Sequence, residues 1–335
     1  MTSCSTDDRY ANDMHYSGGC LLNDNLDWGT TFFSILPLPG DPEIMGTGWR
    51  KNWKKRLEGV PCPIEKWMKH PTRDAYWRRG SVCENYDAIR CAVMAVGGWL
   101  DGYTDAIPRL LKHLQVPRMG IIGPHGHQWG HSPRAPGPAI GFLQEMRRWW
   151  DYWLKGIDNG IMDEPDMIFS TSTTTPEFVW KGTNDWPLPE CGSQTLFLNG
   201  EAQGTDAVVD GGLSDASPDE STVNYTVDYT AGMGNCGRMR FMLRDEYVRH
   251  PDMNIRASKS MAFTGPELAE DIEITGIVTL WLEMATTTSA GAIHATLEEV
   301  KPNGDATYLS EGWLDLRHRK ISECPRPHDG PAYHS

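Results

Sequence analysis

The hydrophobic pattern along the chain changes period several times. Residues 91–97 (CAVMAVG) are an apolar run without polar alternation, closed by glycines. Such a run predicts a strand buried on both faces, as in a parallel sheet. From Ile107 the spacing turns helical. Ile107, Leu110, Leu111 and Leu114 recur every three or four residues, the stripe of an amphipathic helix. Pro108 belongs in its first turn and Pro117 stops it. Residues 118–123 (RMGIIG) are a second short apolar run. Residues 139–157 (AIGFLQEMRRWWDYWLKGI) carry the strongest helical pattern. Its packed face is predicted as Ile140, Leu143, Met146, Trp150, Trp153, Leu154 and Ile157, with Gly156 and Gly160 closing it.

Upstream, residues 14–24 read as a turn entering a helix. Residues 41–59 predict a helix with Asp41 as N-cap, Pro42 in the first turn and Glu43 matched to the dipole. Ile44, Trp49, Trp53 and Leu57 would pack inward, and Gly46 and Gly48 delay the start. Residues 64–70 and 73–80 are shorter helices with aromatic stripes. After Pro165, strand-like segments with turn residues between them take over: 166–172, 194–200, 221–229, 259–265, 271–284, 292–300 and 306–319. Ile272, Ile274, Ile277, Thr279 and Trp281 alternate around Gly276, and residues 301–305 (KPNGD) predict a hairpin turn. Together these predict an antiparallel β-sandwich with one buried face. Residues 321–335 carry no periodicity.

Two strands joined by a helix are parallel, so both following loops open on the same edge of the sheet. Open α/β sheets place their chemistry there. Asp101 follows the first strand; His125 and His127 follow the second. Asp105 reads as a helix cap or first-turn residue, and His15 and His113 as packing or surface residues. The 335 residues allow about two domains, and 39% hydrophobic content suffices for real cores. A net charge of −14, spread without runs, argues against a nucleic-acid or anionic-membrane partner. No apolar run is long enough to span a bilayer, and no signal-peptide core follows Met1. The eight cysteines lack close metal-like pairing, so reduced thiols and a cytoplasmic setting are expected. No cofactor is called for, and homo-oligomerisation stays open.

The segments GWLDGY (98–103) and GPHGH (123–127) resemble the acid and base loops of the X-prolyl dipeptidyl aminopeptidase and cocaine esterase family of serine hydrolases. The resemblance continues through WLKGIDNGIMDEP and DWPLP and covers nearly the whole chain. It implies Asp101 as triad acid and His127 as triad base. His125 stands where the family has Trp, so a contribution from that histidine stays open. The family's chain order is Ser, Asp, His, and no G-x-S-x-x-G elbow occurs in residues 1–100. The nucleophile is therefore expected outside the chain, and Met1 at an internal position of the family's sequence. The implied fold is α/β plus all-β: a partial α/β-hydrolase domain with a helical cap, then a truncated jelly-roll β-sandwich. Residues 1–90 would be the cap segment, 91–164 the C-terminal part of the hydrolase core and 165–335 the jelly roll, with an exposed edge near its end. The implied substrates are X-Pro dipeptides or small esters and amides.

Two further readings compete. His125, His127 and His131 spell H-x-H-x-x-x-H, a spacing at which imidazoles can share Zn²⁺ in a metal-dependent hydrolase. Trp129, however, stands where such loops carry an aspartate. Alternatively the β half is a non-catalytic binding module, with Trp281 and Trp313 lining a sugar-binding face, although Trp in an alternating strand is more often buried.

Overall fold

The computed structural model describes residues 1–132, 139–171, 178–232, 238 and 252–320. Strand β1 (Thr2–Ser3) opens the chain, and β2 (Tyr16–Ser17) pairs with β3 (Cys20–Leu21) as a hairpin. Its turn residues Gly18 and Gly19 both hold positive φ, 54° and 78°, as a two-residue turn matched to strand twist requires. Helices α1 (Asp24–Ile35), α2 (Pro42–Met45), α3 (Trp49–Gly59), α4 (Pro63–Met68) and α5 (Ala75–Arg79) follow. Then come β4 (Val93–Gly98), α6 (Ala106–His113), β5 (Arg118–Gly123), α7 (Phe142–Lys155), β6 (Met167–Thr171) and β7 (Val179–Thr183).

These strands build a five-stranded sheet in the order β1-β4-β5-β6-β7, parallel except for the β6–β7 pair. Both faces are covered. Ala95 and Ile122 meet Ile107, Leu110, Leu111 and Leu114 of the α6 stripe on one side. Met94, Val96, Met119 and Ile121 meet Phe142 and Trp149 of α7 on the other. Consecutive residues of β4 thus enter opposite cores, which is why its sequence does not alternate.

The face of α7 differs from the one expected. Phe142 and Trp149 are fully buried, and Met146 and Trp153 pack beside them, whereas Leu143, Trp150, Leu154 and Ile157 are exposed. The helix carries two apolar stripes offset by one residue, and the more aromatic one is inside. Asp41 caps α2, accepting from Glu43 N at 2.8 Å, and the helix restarts as α3 only past the glycines. Ile44 (84% exposed), Trp53 and Leu57 do not enter a core among the described residues; Trp49 and Trp53 stack on each other instead.

β6 and β7 lie beyond the boundary expected at 164/165, yet they extend the first sheet. β6 follows β5 in parallel register, Ile121 opposite Ile168. The remaining strands are β8 (Phe197–Asn199), β9 (Val209–Ser214), β10 (Met261–Thr264), β11 (Ala292–Val300) and β12 (Ala306–Asp315). They form a three-stranded sheet β10-β9-β8 and a hairpin β11-β12. The hairpin closes through residues 301–305 as expected, with Gly304 at φ 89°. In contrast to an all-antiparallel arrangement, β9 and β10 are parallel. The segments 221–229 and 271–284 pair with no strand among the described residues, and Trp281 is 80% exposed. The expected edge at 321–335 lies outside the described residues.

Candidate active site

The site begins at the carboxyl ends of β4 and β5, whose last residues Gly98 and Gly123 lie side by side. Past them the two loops are stitched together: Trp99 N donates to Gly123 O at 2.9 Å and Leu100 N to His125 O at 3.2 Å. A Cβ on Gly98 would stand 1.9 Å from His125 O, so only glycine permits this approach. The acid loop is then folded tightly on itself. Asp101 N donates to Gly98 O at 2.9 Å, and the Thr104 hydroxyl donates to the carbonyls of Gly98 and Asp101. Asp105 stands at the N-cap position of α6, though its side chain makes no cap.

This geometry brings Asp101 and His127 together. His127 Nδ1 lies 3.2 Å from Asp101 Oδ1, which also accepts from Tyr103 N at 3.1 Å. Asp101 is 1% exposed; the His127 side chain is 21% exposed and so reaches solvent. Among the described residues nothing hydrogen-bonds His127 Nε2. The Tyr103 ring meets the imidazole edge-on at 5.5 Å and its hydroxyl donates to Asp13 Oδ1 at 2.9 Å, fixing one wall. Burial would raise the Asp101 pKa, but the His127 imidazole, the Cys4 thiol and the Tyr103 amide outweigh it and hold the carboxyl below the usual carboxylate range.

His125 takes no part in this pair. It is fully buried, with Nδ1 3.0 Å from Gly126 O, and burial lowers its pKa, favouring the neutral ring. Its role is packing: the ring fills the space over Gly123 and Gly130. His131 stacks on Phe142. The donor atoms of His125, His127 and His131 do not converge, so the H-x-H-x-x-x-H spacing builds no ligand set among the described residues. His15 and His113 are packing residues, against Trp67 and Trp77 and against Tyr86 respectively.

One member of the site was missed by sequence reasoning. Cys4 follows β1, beside β4, with its amide donating to Val96 O at 2.9 Å and its thiol contacting Gln128 O at 3.7 Å. Its φ of 49° makes it the single non-glycine residue with positive φ among those described, a costly conformation that the sheet pairing enforces. Burial first, and the Asp101 charge next, push its thiol pKa well up. A two-residue strand has no periodicity of its own, so no pattern in the chain marks it.

A mainly parallel sheet that brings a carboxylate from one strand end and a histidine from the next to one rim has the plan of an α/β-hydrolase sheet. Comparison with known proteins narrows this class. The X-Pro dipeptidyl-peptidase S15 family profile matches residues 1–132, and the X-Pro dipeptidyl-peptidase C-terminal non-catalytic domain profile matches residues 159–329, more than half of the chain. The chain belongs to the X-Pro dipeptidyl-peptidase family. A Mycobacterium bovis protein that carries a serine-esterase name is 31% identical over 281 residues, covering 82% of this chain and 42% of its own length. The cocaine esterase of a Rhodococcus species is 23% identical over 283 residues, covering 79% and 48%. The chain thus spans less than half the length of these relatives. Among solved structures, an α-amino acid ester hydrolase superposes with a TM-score of 0.61 at 16% identity, over 99% of this chain and 60% of that one. A CocE/NonD family hydrolase from Staphylococcus aureus gives 0.54 at 14% identity, over 96% and 51%. Both show the α/β-hydrolase fold.

Proposed function

We propose that the chain supplies the acid, Asp101, and the base, His127, of a Ser-His-Asp hydrolase that cleaves amide or ester bonds. The observation that carries this reading is the 3.2 Å contact between His127 Nδ1 and Asp101 Oδ1, with the imidazole reaching solvent. In the working enzyme a serine hydroxyl attacks the substrate carbonyl. His127 Nε2 takes its proton and returns it to the leaving group, while Asp101 fixes the tautomer and stabilises the imidazolium. The family's name and the names of the relatives support X-Pro peptides or small esters as substrates. The helices of residues 1–90 act as a cap beside the rim, and the β half follows the jelly-roll plan of the non-catalytic domain.

The nucleophilic serine belongs to a segment outside residues 1–335, so this polypeptide alone is inactive. Incubated with an X-Pro anilide and a fluorophosphonate probe, the chain is expected to show neither turnover nor labelling. Turnover with stoichiometric labelling would overturn the assignment. In a continuous protein that includes an upstream G-x-S-x-x-G elbow, Asp101→Asn is expected to lower kcat by about ten-thousand-fold, with little change in KM.

A further inference from the structure

Cys4, Asp101 and His127 come from the ends of three neighbouring strands, and together they do something the proposed reaction does not require. One thiol sulfur, one carboxylate oxygen and one imidazole nitrogen lie within 4.8 Å of one another, the single such group of three among the described residues. The 3.2 Å separation of His127 Nδ1 and Asp101 Oδ1 is close to the ~3.3 Å edge of a tetrahedron with Zn–N and Zn–O bonds of about 2.0–2.1 Å. The sulfur lies within 4.8 Å of both other donors, against ~3.5 Å for the sulfur edges of such a tetrahedron with a Zn–S bond of about 2.3 Å.

A second observation is independent of this spacing. Asp101 Oδ2 is buried and no nitrogen or hydroxyl among the described residues donates to it; the Cys4 thiol is the group that hydrogen-bonds the carboxylate. A buried carboxylate oxygen served by no donor stronger than a thiol is under-satisfied, and a cation at the carboxylate would answer it. No Lys or Arg pairs with Asp101 among the described residues. Cys4 is not in a disulfide. Its backbone is fixed by the pairing to Val96, so the thiol is held in place rather than swinging past.

We propose that Cys4, Asp101 and His127 form a binding site for one Zn²⁺ ion, with the fourth coordination position open. A thiolate, a carboxylate and a neutral imidazole carry two negative charges together, matching the ion, and the sulfur–nitrogen–oxygen set selects zinc over magnesium or calcium. On binding, the thiol proton leaves to solvent and Nδ1 gives up its proton to the metal bond, so the proton of the neutral ring moves to Nε2. Nε2 then cannot accept a proton, and the zinc form has no base. This last consequence rests on the role proposed for His127; the binding itself does not.

The test is to titrate Co²⁺ into the reduced chain and record absorption. The expected result is one equivalent bound, with tetrahedral bands and a thiolate-to-cobalt charge-transfer band, all displaced by Zn²⁺. Cys4→Ser is expected to abolish the charge-transfer band and to weaken Zn²⁺ at least tenfold. Cys91→Ser, at an exposed thiol, is expected to leave both unchanged. His127→Asn, which keeps the thiol, is expected to weaken the metal while retaining some charge-transfer intensity. A band that persists in Cys4→Ser, or no band in a folded wild-type chain whose thiols are free, would overturn the site while leaving the acid–base reading intact. A His127 ring protonated at Nε2 in the metal-free chain would do the reverse.

Discussion

Gly98 has no room for a side chain. The carbonyl of His125 occupies the place of its missing Cβ, and through it the acid and base loops share one backbone seam. Gly98→Ala is expected to cost about 1–3 kcal/mol, the usual range for overpacking, and to part His127 from Asp101; urea melts and the imidazole resonances read both. His15 offers a separate residue-scale test. Buried beneath Trp67 and Trp77, its ring meets Asn25 Oδ1 at 2.8 Å and Arg9, and burial lowers its pKa. The unfolded chain therefore holds the proton more tightly than the fold does. Stability is full above the unfolded value of about 6.5 and falls as the pH drops below it towards the folded value. His15→Gln is expected to flatten that acid limb, measured by thermal melts across pH 5–8. That an acid and a histidine loop share one rim was legible because each follows an apolar run ended by glycine; the choice of Asp101 and of His127 over His125 came from the family resemblance. Cys4 was not legible, because its position depends on pairing with Val96, 92 positions away in sequence.

At the scale of elements, α6 was readable because a single apolar stripe ran along it, and every residue of that stripe is buried. α7 was readable as a helix but not as a face. Its Phe142–Met146–Trp149–Trp153 stripe and its Leu143–Trp150–Leu154 stripe are both apolar, and spacing alone does not rank them; the fit against Met94, Met119 and Ile121 does. Trp149→Ala is expected to cost about 3–5 kcal/mol, and Trp150→Ala, with its ring partly in water, less than about 1 kcal/mol. Equal costs in denaturant melts would reject the assignment. Residues 271–284 show the converse: their alternation states which side each residue would face in a strand, but a strand also needs a neighbour, and among the described residues none pairs with them.

For the whole molecule, the two parts of the chain meet at the β2–β3 turn. Asp315 N donates to Gly18 O at 2.8 Å, a Cβ on Gly18 would stand 1.9 Å from Trp313 O, and the Tyr10 hydroxyl lies 3.2 Å from a ring nitrogen of His318. A second seam places Leu100, next to Asp101, against Met253, Ala306 and Tyr308. The β half therefore braces the acid loop. Gly18→Ala strains a positive φ as well as the contact, and is expected to separate the melting of the two halves into distinct calorimetric transitions. The change of period near Pro165 was legible; the reach of β6 and β7 back into the first sheet was not, because strand pattern does not name the sheet it joins.

The central claim is that Asp101 holds the His127 ring with its proton on Nδ1, leaving Nε2 to act as base. The most direct measurement is nitrogen-15 NMR of the histidine rings in the metal-free chain, with Asp101→Asn as comparison. The account predicts a neutral His127 protonated at Nδ1, with that preference lost in the variant. A His127 protonated at Nε2 in the unaltered chain, unchanged by Asp101→Asn, would contradict it.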